Sequence, residues 1–172
     1  LRRYADGLGL DPARVALWGE SAGAHLASLV AFAGSREPAD AGLLGEVGVG
    51  EGVLGVVATV LFYGPADLVW LDDEVPLDGV ARVLGGDPSL TDRLSPVRQV
   101  HPGIAPVLLM HGRDDSLVPV TESETLHRAL LTAGVDSTLE ITDGADHCFI
   151  GAPVEPHLDR AIGFLRDHAD RR

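Results

Sequence analysis

Neither lysine nor asparagine occurs among these 172 residues, and all 13 basic side chains are arginine. Lysine-dependent chemistry is therefore excluded within them, and the bias itself reads as GC-rich coding rather than as mechanism. A single cysteine, Cys148, has no partner for an internal disulfide. The seven histidines show neither the Cys-rich nor the paired-His spacing of a zinc site, so no metal is implied. Long hydrophobic runs are missing too, since stretches such as GVVATVLFYG are too short to cross a bilayer. Basic clusters are absent from a chain of net charge −13 and pI near 4.7. Such an acidic surface repels nucleic acid and anionic membranes, and neither is expected as a partner.

What is present is enough apolar material for one real core: 45% of the residues are hydrophobic, over the length of one domain. No internal repeat or low-complexity tail interrupts the chain. Short apolar runs alternate with amphipathic stretches, the pattern of an α/β fold with a parallel sheet and flanking helices. The runs predict strands over Arg14–Trp18, Val56–Phe62, Pro106–Met110 and Thr138–Ile141. Helices are expected over Ala22–Ala33, over Glu122–Ala133 with Gly134 as its stop, and over Pro156–His168, with a shorter one near Leu77–Leu84. The glycine-rich, acidic stretch Gly34–Gly52 reads as a connecting loop, with no second domain.

Between the first strand and the first helix lies Gly19-Glu20-Ser21-Ala22-Gly23. With 21 glycines in the chain, a bare Gly-x-Ser-x-Gly is weak evidence. Its place between a strand and a helix is what gives it meaning, because a sharp turn there lifts a serine clear of the sheet as a nucleophile elbow. Residues two before and two after the serine face each other across such a turn, so side chains at Gly19 or Gly23 are expected to push strand and helix apart. The same turn sets the helix N-terminus beneath Ser21 and aims the Ala22 N–H at a developing oxyanion.

A serine needs a base, and the base needs an orienting acid. VLLMHGRDDSLVP carries a buried strand into a loop with Asp114 and Asp115, at the carboxyl end of the sheet where α/β sites form. GADHCFIG follows the last strand and places His147 among small residues. The chain order serine, aspartate, histidine is that of a triad in which His147 takes the Ser21 proton and the acid holds the imidazole tautomer.

These segments resemble the α/β-hydrolase fold, and within it the esterases of the hormone-sensitive-lipase-like and feruloyl-esterase-like groups. The likeness runs through LDPARVALWGESAGAHLA, VLFYGPADL, LGGDP, SPVRQV, the stretch APVLLMHGRDDSLVPVTESETLHRALLTAGVDSTLEI and DGADHCF. It implies that the acid of His-Gly-x-x-Asp-x-x-Val-Pro is Asp115, with Asp114 a variable neighbour, and that the histidine is His147. It further implies a serine hydrolase of carboxylic esters, of short-chain or acetyl type, acting without cofactor or metal on a small-molecule ester. An amidase or peptidase using the same triad, and an inactive hydrolase fragment, remain the alternatives.

The resemblance starts just before the elbow, so the expectation is a single partial α/β-hydrolase domain over residues 1–172, lacking the N-terminal half with its oxyanion His-Gly-Gly segment. His-Gly occurs here only at His111–Gly112. On that reading Val15–Trp18 form an uncovered sheet edge, and Ala22 is the one assured oxyanion donor. Among nearby residues, His25 is expected to pack under the elbow, His111 to hydrogen-bond locally, Glu20 to prop the elbow through buried bonds, and Cys148 to be a small buried hydrophobe. Trp70, Leu71 and Phe149 are candidates for either pocket wall or core.

Overall fold

The computed structural model describes residues 4–35, 55–69 and 90–170. A short helix α1 (Ala5–Leu8) precedes β1 (Val15–Glu20) and α2 (Ala22–Gly34), followed by β2 (Val56–Phe62) and α3 (Leu90–Leu94). A 3-10 turn at Pro96–Gln99 leads to β3 (Val107–Gly112), α4 (Val120–Thr132) and β4 (Ser137–Thr142); a second turn at His147–Phe149 precedes α5 (Glu155–Ala169). The expected short helix near Leu77–Leu84, residues Trp70 and Leu71, and nearly all of the Gly34–Gly52 loop lie outside the described residues.

The four strands form one parallel sheet in the order β1-β2-β3-β4. Side chains alternate across a strand, so β2 and β3 each supply both faces. Leu61, Val107 and Leu109 turn toward Ala24, Phe32, Leu126 and Leu130 of α2 and α4. Ala58, Val60, Phe62, Leu108 and Met110 turn the other way, toward Ala161 and Phe164 of α5. This two-faced burial explains why both strands read as unbroken apolar runs. Among the described residues β1 and β4 are the sheet edges, which fits their merely half-buried residues Val15–Trp18 and Ser137–Thr142.

Three boundaries differ from the sequence expectation by two residues: β1 runs on to Glu20, and the other two have a local reason. Strand β3 runs on through His111 and Gly112 because these pair with Ile141 and Thr142 of β4. Helix α4 begins at Val120, where the Glu122 N–H donates to the Pro119 carbonyl. Its far end is as the glycine demands. Gly134 takes φ +77°, Val135 N–H reaches the Leu130 carbonyl at 3.0 Å and Gly134 N–H reaches Leu131 at 3.0 Å, a Schellman stop sealed by Leu130 and Val135 in the core.

Candidate active site

Ser21 sits at the sharp turn between β1 and α2 with φ 51° and ψ −122°, a conformation costly for any residue with a Cβ. Three bonds hold it there. Its N–H donates to the Phe62 carbonyl at 2.9 Å, continuing the β1–β2 ladder, and its carbonyl accepts from Ala24 and His25 at 3.0 and 3.2 Å, opening α2. A Cβ at Gly19 would land on the Gly23 carbonyl, so that glycine is sterically required. At Gly23 the expectation is corrected: an added Cβ there meets nothing within 4 Å, because the residue lies exposed on the outer side of the first helical turn.

Two further loops converge on the serine. His147 Nε2 lies 3.0 Å from Ser21 Oγ, and His147 Nδ1 lies 2.8 Å from Asp115 Oδ2. Since the carboxylate can only accept, Nδ1 carries the proton and Nε2 offers its lone pair to the serine hydroxyl. The Asp115 side chain is fully buried and that of His147 is 13% exposed. Asp115 Oδ1 accepts from Leu117 N–H at 2.9 Å and Val118 N–H at 2.8 Å, and Oδ2 takes a second contact from His111 Nε2 at 3.1 Å. Asp114 is exposed, with its N–H on the Ala145 carbonyl. The structure thus brings Ser21, Asp115 and His147 together and leaves Asp114 aside.

The neighbours are structural in kind. His111, fully buried, has Nδ1 2.7 Å from Ser123 Oγ and Nε2 2.9 Å from the Val118 carbonyl; burial lowers its pKa and keeps it neutral, with the proton on Nε2 between Val118 and Asp115. His25 is buried under the elbow, its Nε2 donating to the Leu94 carbonyl at 2.7 Å, and burial lowers its pKa also. Phe149 belongs to the core at 2% exposure, stacked 3.9 Å from the His157 ring.

Two further expectations fail. Glu20 is exposed rather than buried, because β1 ends there and turns its last side chain outward; it accepts a bond from Tyr63 Oη at 3.0 Å. Cys148 is exposed rather than a buried hydrophobe. Its φ of 59°, together with 58° at Phe149, turns the chain outward so that Phe149 takes the core position.

Sequence reasoning missed Tyr63 and Asp146. Tyr63 packs edge-on against the His147 ring at 4.8 Å, and burial followed by the Glu20 carboxylate raises its phenol pKa. The available signal was its place directly after β2, at the carboxyl end of the sheet. Asp146 accepts from both loops that flank the serine, and its only signal was adjacency to His147. Among the described residues, the non-glycine positions with positive φ are Ser21, Tyr63, Cys148 and Phe149. All four lie in or beside this constellation, as stored backbone strain does at functional sites. Among the described residues no group of three or more His, Cys, Asp or Glu is placed to hold a metal ion.

The model of the BD-FAE family matches residues 1–130. The chain belongs to this family of α/β-hydrolase-fold esterases. As a BD-FAE member it is 30% identical to the esterase LipQ of Mycobacterium tuberculosis over 133 residues, covering 73% of this chain and 30% of LipQ. Of the solved structures it resembles, a truncated form of a carbohydrate esterase from gut microbiota superposes with a TM-score of 0.77 at 22% identity, over 99% of this chain and 65% of that one. An acetyl ester-xyloside bifunctional hydrolase from Caldicellulosiruptor lactoaceticus gives 0.67 at 29% identity, over 98% and 57%. The BD-FAE chain thus spans under a third of LipQ and about three fifths of these structures.

Proposed function

We propose that these residues form the catalytic part of a serine hydrolase that cleaves carboxylic esters, with Ser21 as nucleophile, His147 as general base and acid, and Asp115 as the orienting acid. The observation that carries this reading is the unbroken line of bonds from Ser21 Oγ through His147 to Asp115, at 3.0 and 2.8 Å, in a chain of the esterase family. Ser21 Oγ attacks the ester carbonyl carbon while its proton passes to His147 Nε2. The collapse of the tetrahedral intermediate releases the alcohol, which takes that proton, and leaves an acyl group on Ser21. Water, deprotonated by the same nitrogen, then frees the acid and restores the serine. Asp115 stays ionised and stabilises the imidazolium formed in each step.

The oxyanion is assigned to the Ala22 N–H, which as the first of α2 has no intrahelical partner and stands at the positive end of the helix. Small acyl groups, acetyl first, are favoured by the likeness to the acetyl ester-xyloside hydrolase at 29% identity. The test is fluorophosphonate labelling of the full-length protein with peptide mapping, run beside turnover of an acetyl ester and its amide counterpart. Label confined to Ser21, and lost with ester turnover in Ser21→Ala, supports the reading; label elsewhere, or none, overturns it. Faster cleavage of the amide would move the substrate class to amidase.

A further inference from the structure

The loops bearing Asp115 and His147 are joined by main-chain bonds that stop short of both residues. Arg113 N–H donates to the Thr142 carbonyl at 2.9 Å and Asp114 N–H to the Ala145 carbonyl at 3.0 Å. Gly112 makes this approach possible, since a Cβ there would strike the Ala145 carbonyl. Beyond Asp114 and Ala145 the zipper is continued by one side chain. Asp146 Oδ1 accepts from the Ser116 N–H at 2.7 Å and from the His147 N–H at 2.7 Å, while Ser116 Oγ lies 3.0 and 3.1 Å from its two oxygens. One carboxylate therefore binds the residue after Asp115 and the backbone of His147 itself.

Past His147, Cys148 and Phe149 both adopt left-handed backbone, a strained path that relaxes unless anchored at each end. Phe149, stacked on His157, is one anchor. The other is Asp146, whose own N–H also reaches the Ile150 carbonyl at 2.8 Å, closing the turn on itself. We propose that Asp146 is a positioning residue, a carboxylate latch that sets the separation of Asp115 and His147 and so keeps the imidazole on Ser21. It touches no substrate, and its role rests on the serine-hydrolase reading above. The Ser116 and His147 N–H bonds hold its carboxyl below the usual carboxylate range, so the latch stays charged at any ordinary pH. At the ring itself, Asp115 Oδ2 accepts from His147 Nδ1, Ser21 Oγ faces Nε2, and the neighbouring Tyr63 hydroxyl is engaged with Glu20.

The test uses the full-length protein with Asp146→Ala, Asp146→Asn and Ser116→Ala, and Ser21→Ala as the control for the underlying chemistry. Asp146→Asn keeps an acceptor oxygen for both N–H groups, and Asp146→Ala keeps none. Loosening a reacting pair by about 1 Å can cost about 10²-fold, so Asp146→Ala is expected to lower kcat by about 10- to 100-fold. KM should stay nearly unchanged, as for an interaction used in the chemical steps. Asp146→Asn should recover most of that loss and Ser116→Ala should fall between. The downfield proton resonance of His147 Nδ1–H should be sharp in the parent and in Asp146→Asn, and broadened in Asp146→Ala. Parent-like kcat and resonance in Asp146→Ala overturn the latch. So does a parallel fall of kcat, substrate binding and Tm that Asp146→Asn does not rescue, which is general damage. If the parent shows no Ser21-dependent turnover, the hydrolase reading fails instead, and the resonance alone still decides whether Asp146 orders the His147–Asp115 pair.

Discussion

The two sides of the constellation are built differently. On the side of Asp115 and His147, β3 is flanked by β2 and β4, all six of its residues are buried, and each carboxylate oxygen of Asp115 has two donors. On the side of Ser21, β1 pairs with β2 alone among the described residues, and its first four residues are half-buried. Trp18 Nε1 is buried there without a hydrogen-bond partner among the described residues, and Leu26 and Val30 of α2 stand 61% and 39% exposed. The His147–Asp115 pair is preorganised by its own hydrogen bonds, whereas Ser21 is held by the first turn of α2, by sterics at Gly19 and by one strand. That strand is β2. Phe62 accepts from Ser21 N–H, and Tyr63, the residue after β2, donates to Met110 of β3, both at 2.9 Å, so two consecutive residues at the end of β2 set the register between the two sides.

Breaking the chemistry on the nucleophile side should have the largest effect. Ser21→Ala is expected to lower kcat by about 10⁶-fold with the fold intact, the scale seen when a triad nucleophile is lost. Turnover within about tenfold of the parent would mean that another group attacks. On the acid side the loss should be large but smaller. Asp115→Asn should cost about 10⁴-fold in kcat by stabilising the wrong imidazole tautomer. Asp114→Asn, at an exposed position whose neighbour already occupies His147, should be mild. Steady-state kinetics on the pair settles the assignment, since the reverse ranking would move the acid by one residue.

How much of this was legible follows from the same contrast. The strands β2 and β3 were readable because burial on both faces leaves their predicted ranges apolar but for Thr59, and β2 has the predicted bounds Val56–Phe62. The helix stop at Gly134 was readable because only its backbone freedom suits a Schellman turn. The convergence of Ser21, Asp115 and His147 was legible through local motifs, since each lies beyond the carboxyl end of a strand that its own neighbours reveal. Asp146 and Tyr63 were not found, because their roles exist only where separate loops meet. Cys148 was misplaced for a related reason. A buried thiol was the expectation by residue type, but consecutive left-handed residues swap inside for outside at Cys148 and Phe149, and no residue preference announces that turn.

The glycines of the elbow give a sharper and smaller contrast. Gly19→Ala forces a Cβ into the Gly23 carbonyl, and overpacking of that kind costs about 1–3 kcal/mol. Gly23→Ala places a methyl in open space on a helix, where alanine is better than glycine by about 0.5–1 kcal/mol. The two substitutions, four residues apart in one motif, are therefore expected to move Tm in opposite directions. Equal destabilisation by both in a thermal melt would mean that strand and helix approach each other at Gly23 as closely as at Gly19.

The smallest expected effect concerns a carboxylate that takes no part in the proposed chemistry. Glu122 on α4 is 6% exposed, and its Oε2 accepts from the Ala66 and Asp67 N–H groups at 2.8 Å each, fastening the chain after β2 to α4. Burial raises its pKa, against the pull of those two N–H bonds. A carboxyl whose folded pKa lies above its unfolded value binds its proton more tightly when folded. Its contribution to stability is therefore fully present below the unfolded pKa of about 4.5 and is lost as pH rises through the raised folded value. Glutamine offers the same carbonyl oxygen to both N–H groups without a charge to bury. Glu122→Gln is accordingly expected to raise Tm at pH 7.5, and its advantage should shrink to nothing as the pH falls below about 4.5, where glutamate is protonated in both states. The buried histidines His25 and His111 pull the other way. Their lowered pKa values mean that the unfolded chain takes up their protons first, so stability is lost as pH falls below about 6.5 toward their folded values, in parent and variant alike. The decisive quantity is thus the difference in Tm between Glu122→Gln and the parent across pH 4 to 8, in which the histidine contribution cancels. A constant or inverted difference would show that the Glu122 charge is needed where it stands, and that the tie between β2 and α4 is held by an ionised carboxylate.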